Sequence, residues 1–298
     1  MQTTLGPLLY FWPRQDVFDF YEKVSQSGID RVCLGEVTCS KRRELNHGDW
    51  MAIAQLLADA GKKVVLSTLT LLESESELSQ VRKICDNNEF MVEANDMSAV
   101  KFLSSNGLEF CTGPSLNIYN AYTLKQLYKL GLKRWVLPLE LSEKKLTSIL
   151  QQAEELKLND KIETEVFSYG YMPLAYSARC FTARVNDKGK DECEFICRKV
   201  PQGIPLATQE NEQLFTLNGI QTMSGHCMNI LNRWQDMEKQ GVHSMRLSAH
   251  SYDVLDIADS LISSIKDNKP FVSELSVEQC NGYWEGGSGK DQFYREVR

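Results

Sequence analysis

The sequence predicts an α/β protein, specifically a (β/α)8 TIM-barrel-like fold with a cysteine-bearing insertion after strand 7. Three observations lead to this fold: amphipathic segments that end at glycine, short apolar runs typical of strands buried on both faces, and eight such runs along the chain. The chain has 298 residues, of which 42% are hydrophobic, which is enough for one large core. We therefore predict a single barrel domain over residues 1–298.

A recurring joint separates the helices from the strands. An amphipathic segment ends at glycine and an apolar, β-rich run follows shortly after, at Gly28, Gly61, Gly107, Gly131 and Gly241. Glycine suits the position just past a helix because it adopts the left-handed conformation without a Cβ clash. Each joint therefore predicts a helix, its C-cap and a strand, in that order.

Eight strands follow from these joints and from the apolar runs. We predict them at residues 7–11, 31–37, 63–69, 90–95, 109–115, 134–140, 162–168 and 243–248. Helices connect the first seven, and a last helix is expected after Asp253, which would cap it. A doubly wound open sheet would alternate similarly, but it usually has fewer strands, and no strand here is followed by G-x-G-x-x-G.

A long polar interval interrupts the alternation between strands seven and eight. We interpret residues 171–225 as a cysteine-rich insertion on the seventh βα loop, followed by a helix near 226–240. The segment 270–298, rich in glycine and aromatic residues towards its end, predicts an irregular C-terminal tail.

Charge and hydropathy limit the partners. The net charge is -7 and the pI is about 5.3, with no basic cluster longer than Lys41 to Arg43, so we expect no nucleic-acid partner. No apolar stretch is long enough for a membrane span, and no signal peptide is visible. Nine cysteines without a secretion signal indicate a reducing compartment. We expect a soluble cytoplasmic protein with free thiols.

Three cysteines lie in the insertion with the spacing C-x12-C-x3-C: Cys180, Cys193 and Cys197. Their neighbours are charged or polar, whereas structural cysteines usually lie among core residues. This pattern favours a metal or redox role. Barrel geometry nominates Cys39 as a fourth ligand, because it follows strand two on the face where the βα loops meet.

Four thiolates could hold either zinc or an iron-sulfur cluster. Structural zinc sites usually use two closely spaced pairs, and here only Cys193 and Cys197 form such a pair. Clusters accept more varied spacing, and basic neighbours could offset their charge. Those neighbours are Arg179, Arg184, Arg198 and Lys199. Spacing favours a cluster over zinc and leaves unrelated surface thiols as a third interpretation.

The other five cysteines have weaker claims to a metal. Packing explains Cys33, Cys85 and Cys111, whereas Cys227 and Cys280 remain reserve ligands.

Carboxylates near strand ends are the candidates for acid-base chemistry. They are Glu36, Glu93, Glu140 and Glu165. We take Glu36 and Glu93 as catalytic candidates at the barrel mouth. In the alternative interpretation, some of these carboxylates merely pair with Arg42, Arg43 or Arg246 inside the barrel.

The segment from Glu165 to Cys180, EVFSYGYMPLAYSARC, resembles the signature of the collagenase-like peptidase family U-32. Gly35-Glu36 with Cys39-Ser40, the run Leu116 to Asn120, and Gly282 to Trp284 extend the likeness over nearly the whole chain. Pro173 stands where most members have their first cluster cysteine.

Within the family, the set Cys39, Cys180, Cys193 and Cys197 is similar to that of the branch that acts in ubiquinone biosynthesis without O2. This resemblance implies a 4Fe-4S cluster, a heterodimer with a homologous protein, a lipid-carrier accessory protein, and hydroxylation of the prenylated aromatic ubiquinone precursor. No nucleophile motif supports peptidase activity.

Two alternatives remain open. One is a noncatalytic scaffold whose metal folds the insertion, with another protein as the enzyme. The other is hydroxylation of RNA bases, as in other relatives, which the acidic pI disfavours.

Overall fold

A closed barrel of eight parallel strands forms the centre of the molecule. The structure is a computed structural model that describes residues 1–158, 160–272 and 277–294. The barrel strands are β1 (Gln2–Leu5), β2 (Arg31–Leu34), β3 (Lys63–Ser67), β4 (Met91–Ala94), β5 (Phe110–Thr112), β6 (Leu132–Val136), β7 (Glu163–Tyr176) and β11 (Ser244–Leu247). Each pairs in parallel with the next, and β11 pairs with both β7 and β1, which closes the barrel. The predicted (β/α)8 fold is confirmed.

Amphipathic helices cover the outside of the barrel. They are α1 (Arg14–Gln26), α2 (His47–Asp59), α3 (Glu75–Cys85), α4 (Met97–Ser105), α5 (Ala121–Lys129), α6 (Glu143–Glu155), α8 (Trp234–Lys239) and α9 (Val254–Lys266). Capping boxes at Asn46 and Ser74 satisfy the first amides of α2 and α3, which fixes where these helices begin. Among the described helices, none is both long and apolar enough to cross a bilayer.

Strand β7 continues past the barrel and carries the chain into a second group of strands. Its far half pairs antiparallel with β10 (Gln221–Asn229), which pairs with β9 (Gln213–Asn218) and, beyond it, β8 (Ile204–Ala207). Helix α7 (Phe181–Val185) and two 3-10 turns, Lys190–Glu192 and Ile196–Lys199, lie between β7 and β8. The segment between barrel strands seven and eight therefore shares backbone hydrogen bonds with the barrel wall.

The C-terminal segment contains two short elements, β12 (Gln279–Cys280), which pairs with β10, and α10 (Gly282–Glu285). Parts of the predicted tail, residues 273–276 and 295–298, lie outside the described residues. The division into barrel, insertion and tail stays a prediction.

The first strand is displaced from its predicted position. Residues 7–11 form no strand, and β1 lies earlier, at Gln2–Leu5. Pro7 has no amide hydrogen for a ladder, and the apolar run after it is buried as an irregular loop instead. The polar residues Thr3 and Thr4 interrupt the apolar pattern, so the sequence did not predict this strand. The Thr4 hydroxyl faces the barrel interior, where it donates to Glu165 at 3.1 Å.

Two further predictions near the last strand were wrong. Residues 226–229 belong to β10 rather than to a helix, because they pair with β7 and β12; α8 begins only at Trp234. Asp253 precedes α9 but makes no side-chain cap hydrogen bond, since its own backbone is already helical, with φ -59° and ψ -20°.

Candidate metal centre

Four of the nine cysteines are partly exposed, and they are the four that the sequence selects: Cys39, Cys180, Cys193 and Cys197. Cys39 lies in the loop after β2, and Cys180 immediately precedes α7. Cys193 directly follows the first 3-10 turn, and Cys197 belongs to the second. The other five thiols are buried. Exposure therefore distinguishes the same four cysteines that sequence context selected.

The four thiols lie near one another. Burial raises the pKa of the Cys197 thiol, and the neighbouring thiols of Cys180, Cys39 and Cys193 raise it further. Burial likewise raises the pKa of Cys39, with a smaller contribution from Cys180. Among the described residues, no group of three or more His, Cys, Asp or Glu side chains is already arranged to hold a metal ion. The sulfurs are thus neighbours that do not form a preassembled single-ion site.

Arg42 supplies positive charge beside these thiols. Its guanidinium is buried, and it donates to the Leu9 carbonyl and to the Asn218 side-chain oxygen, both at 2.8 Å. Its charge lowers the pKa of both Cys39 and Cys197, in opposition to burial. Arg42 therefore favours the thiolate forms that a metal or cluster requires.

Glu36 orders the loop that carries Cys39. Its Oε1 accepts the backbone N–H groups of Thr38 at 2.8 Å and Cys39 at 3.0 Å. Burial raises the pKa of Glu36, while Arg42 and the two amides act in the opposite direction. The Arg42 amide then donates to the Cys39 carbonyl at 2.9 Å. Through these hydrogen bonds, Glu36 fixes the conformation of the loop that carries Cys39.

Basic side chains tie the Cys39 loop to the segment that carries Cys193. Lys41 Nζ donates to the Lys190 carbonyl at 2.9 Å and to Asp191 Oδ1 at 2.5 Å. Lys190 in turn forms an ion pair with Glu73, which precedes α3. These bonds join the loop of Cys39 to the segment just before Cys193, which is far from it in sequence.

The turn between Cys193 and Cys197 has an unusual backbone. Glu194 and Phe195 both have positive φ, at 47° and 54°, a conformation that residues other than glycine rarely adopt. The Phe195 ring lies 6.1 Å from that of Phe11, and the Arg198 guanidinium lies over both rings. This aromatic contact fastens the turn to the loop that follows β1.

Cys180 is held by the β9–β10 hairpin. Its sulfur accepts the Ala183 amide at 3.4 Å, at the start of α7. The Gly219 amide donates to the buried Thr182 hydroxyl at 2.9 Å, and the Phe181 amide donates to the Gly219 carbonyl at 2.9 Å. The hairpin turn therefore sets the position of this thiol.

The catalytic candidate Glu93 faces the barrel interior and is buried in an ion pair with Arg246. Arg246 also donates to Glu165 Oε1 at 2.5 Å, and Ser67 donates to Glu93 Oε1 at 3.1 Å. This is the pairing that the alternative interpretation described. A catalytic role for Glu36 or Glu93 stays a prediction. Glu140 is exposed and accepts the Tyr119 hydroxyl.

The barrel mouth itself is almost filled. The cavity there measures about 30 Å³, and its lining includes Glu93, Arg246, Pro173 and Tyr176. Such a volume is close to that of one water molecule. Pro173 therefore lies at the barrel mouth.

Sequence reasoning missed three contributors to this site: Arg42 as a buried charge, Asn218 as its partner, and Phe11 as the aromatic support. The sequence analysis named Arg42 as part of a basic cluster and as a possible partner of the carboxylates inside the barrel, but not as a charge beside the thiols. Its burial and its partners depend on the β9–β10 hairpin, which the sequence did not predict.

Solved structures with a similar arrangement of elements are remote in sequence. The U32 peptidase Mk0906 is 13% identical, covering 84% of this chain and 93% of its own, with a TM-score of 0.44. The Bacillus megaterium spore cortex-lytic enzyme SleL is 10% identical over 92% of this chain and 75% of its own, with a TM-score of 0.44. The 7,8-dihydropteroate synthase of Vibrio fischeri is 10% identical over 89% and 93%, with a TM-score of 0.42.

The family assignment rests on the sequence. The model of peptidase family U32 matches residues 18–262, which is most of the chain and includes Cys39, Cys180, Cys193 and Cys197. The chain therefore belongs to peptidase family U32.

Proposed function

We propose that Cys39, Cys180, Cys193 and Cys197 hold a 4Fe-4S cluster. One observation carries the proposal: four partly exposed thiols, from the β2 loop and from the segment after β7, share one neighbourhood with the buried charge of Arg42. The donor set suits the group, because iron-sulfur clusters are held by cysteine thiolates and tolerate varied spacing.

A bound cluster would supply one-electron transfer. The residues of this chain would bind and orient it: Glu36 fixes the Cys39 amide, and the hairpin turn at Gly219 fixes the start of α7. Arg42 would offset part of the negative charge of four thiolates. Because four side chains would complete the coordination, we propose an electron-transfer or architectural role rather than direct binding of substrate to iron.

We further propose that the chain is the iron-sulfur subunit of an O2-independent hydroxylase that acts on the ubiquinone ring precursor. Its ligand set and its signature segment resemble those of UbiV, a member of the family in anaerobic ubiquinone biosynthesis. This resemblance supports a heterodimer with the homologous protein UbiU and delivery of the prenylated ring by the lipid-carrier accessory protein UbiT.

Iron and sulfide analysis after anaerobic purification tests the cluster. The wild-type protein should be brown, absorb near 400 nm and contain iron and acid-labile sulfide. Cys180→Ala should lose the cluster, whereas Cys85→Ala, which changes a buried cysteine at the end of α3, should keep it. Equal iron in the two variants, or a colourless zinc protein, would contradict the assignment.

The hydroxylase requires its own test. Co-expression with UbiU and UbiT under anaerobic conditions should convert the precursor, and replacing any of the four cysteines should abolish conversion. Full conversion by a cluster-free Cys180→Ala variant would reduce this chain to a scaffold for its partner.

A further inference from the structure

A second cavity lies outside the barrel, between α2 and α3. It measures about 330 Å³, within the range of small-molecule sites and about ten times the size of the cavity at the barrel mouth. Its base is formed by the ends of β2 and β3, and the loop from Ser40 to Asn46 passes over it. Of these two cavities, the one beside the cysteine loop has room for a small ligand and the one on the barrel axis does not.

The floor of this cavity is apolar. Leu34, Leu66 and Val81 line it and are almost fully buried. Trp50 and Ile84, which are partly exposed, form walls on the α2 and α3 sides. Such a surface suits a flat or branched hydrocarbon group, because burying apolar surface of the ligand and of the cavity away from water lowers the free energy of binding.

The rim of the cavity is cationic. Arg43 and Lys83 are exposed residues on opposite sides of the opening, and the Arg43 guanidinium is anchored to the Ser40 carbonyl at 3.2 Å. His47 also lines the cavity; burial, with a contribution from Lys83, lowers its pKa. Among the described residues that line the cavity, Glu36 alone is acidic, and its Oε1 is occupied by two backbone amides.

We propose that this cavity binds a small amphipathic carboxylate, such as an aromatic acid of one or two rings. Its apolar body would lie against Leu34, Leu66 and Val81, and its carboxylate would meet Arg43 and Lys83 at the rim. The order of apolar floor and cationic rim fixes which end of the ligand enters first. None of the four cysteines lines this cavity, although Glu36 and Arg42 border both sites, and the proposal goes beyond the cluster function.

Calorimetric titration of the full-length protein with 2-naphthoate and with the neutral 2-naphthamide tests the charge selection. The carboxylate should bind at least about tenfold more tightly than the amide, because only the carboxylate can pair with the rim cations. Equal affinity for the two probes, or no binding of naphthoate at millimolar concentration, would overturn the proposal.

Variants then locate the site. Arg43→Gln with Lys83→Gln should reduce naphthoate affinity about tenfold or more and leave naphthamide unchanged. Arg82→Gln is the matched control, since Arg82 is next to Lys83 on α3, exposed, and outside the lining. Ile84→Trp, which fills the cavity from its wall, should weaken both probes. Unchanged naphthoate affinity in the double variant, or an equal loss in Arg82→Gln, would show that the anion binds elsewhere.

Discussion

Burial and charge act in opposite directions on the thiols of the candidate centre. Burial raises the pKa of Cys39 and of Cys197, whereas the Arg42 charge lowers both. Arg42 can do this because it is itself fixed by Leu9 and Asn218, so its charge is not free to swing into solvent. The same side chain thus has an electrostatic role and a bracing role, and the two can be separated by substitution.

Arg42→Lys keeps the charge but cannot reproduce both hydrogen bonds, whereas Arg42→Met removes charge and bonds together. Both should lower the free energy of unfolding, by about 1–3 kcal/mol, because buried acceptors lose a partner. Only Arg42→Met should shift the reduction potential of the bound cluster, towards more negative values, since the reduced cluster loses a nearby positive charge. Denaturant unfolding and potentiometric titration measure the two effects.

Arg184→Met is the control for charge alone. Arg184 lies in α7, four residues after Cys180, but it is exposed, so solvent screens its charge. A potential shift as large in Arg184→Met as in Arg42→Met would mean that burial gives Arg42 no special influence.

At the scale of elements, the extension of β7 decides the architecture of the site. Residues of β7 beyond the barrel pair with β10, and the β9–β10 turn reaches back to Arg42 and to the segment after Cys180. Gly219 occupies this turn with φ +66°, and a Cβ there would lie 3.0 Å from Arg42 Nη2. The turn therefore needs glycine for two reasons, its conformation and its closeness to the guanidinium.

Gly219→Ala should destabilise the protein by more than the left-handed conformation alone costs, which is about 1 kcal/mol. Gly241→Ala is the matched variant: it has φ +86° but nothing within 4 Å of its Cβ position, so only the conformational cost applies. Urea unfolding of the two variants measures the difference. Equal losses would indicate that Arg42 moves away without cost.

The sequence predicted correctly those elements that a local pattern defines, such as helical periodicity or a glycine at a helix end. The glycine joints identified the helices and most strands of the barrel, because each joint is local. The pairing of β7 with β10 was not predictable, since it depends on register between distant segments. The burial of Arg42 follows from that pairing, so sequence reasoning could nominate the four cysteines but not the charge beside them.

At the scale of the whole molecule, the barrel interior is held by buried ions. Arg246 from β11 bridges Glu93 of β4 and Glu165 of β7, and Arg31 and Arg134 lie within 4 Å of Glu165. Burial alone would raise the pKa of Glu165, but Arg246, Arg134 and Arg31 outweigh it and hold the pKa below its ordinary value. The fold therefore depends on an ionised carboxylate at its centre.

Glu165→Gln should lower the free energy of unfolding by about 3–5 kcal/mol, because it leaves buried arginines uncompensated. A depressed folded pKa means that this stabilisation is complete above the unfolded value of about 4.3 and is lost as pH falls through the folded pKa. Urea unfolding between pH 3 and 7 should show this acid loss in the wild-type protein and a smaller one in the variant. Glu140→Gln, at an exposed position, is the control and should change neither stability nor pH dependence.

The irregular loop that follows β1 connects the cysteine loop to the β9–β10 hairpin. Had residues 7–11 been a barrel strand, the Leu9 carbonyl would have been occupied by a neighbouring strand. Because no strand pairs with it, its oxygen accepts Arg42 Nη1 at 2.8 Å, Asn218 Nδ2 at 3.0 Å and the Thr38 hydroxyl at 3.4 Å. One peptide oxygen near the N-terminus thereby forms hydrogen bonds with both the cysteine loop and the distant hairpin.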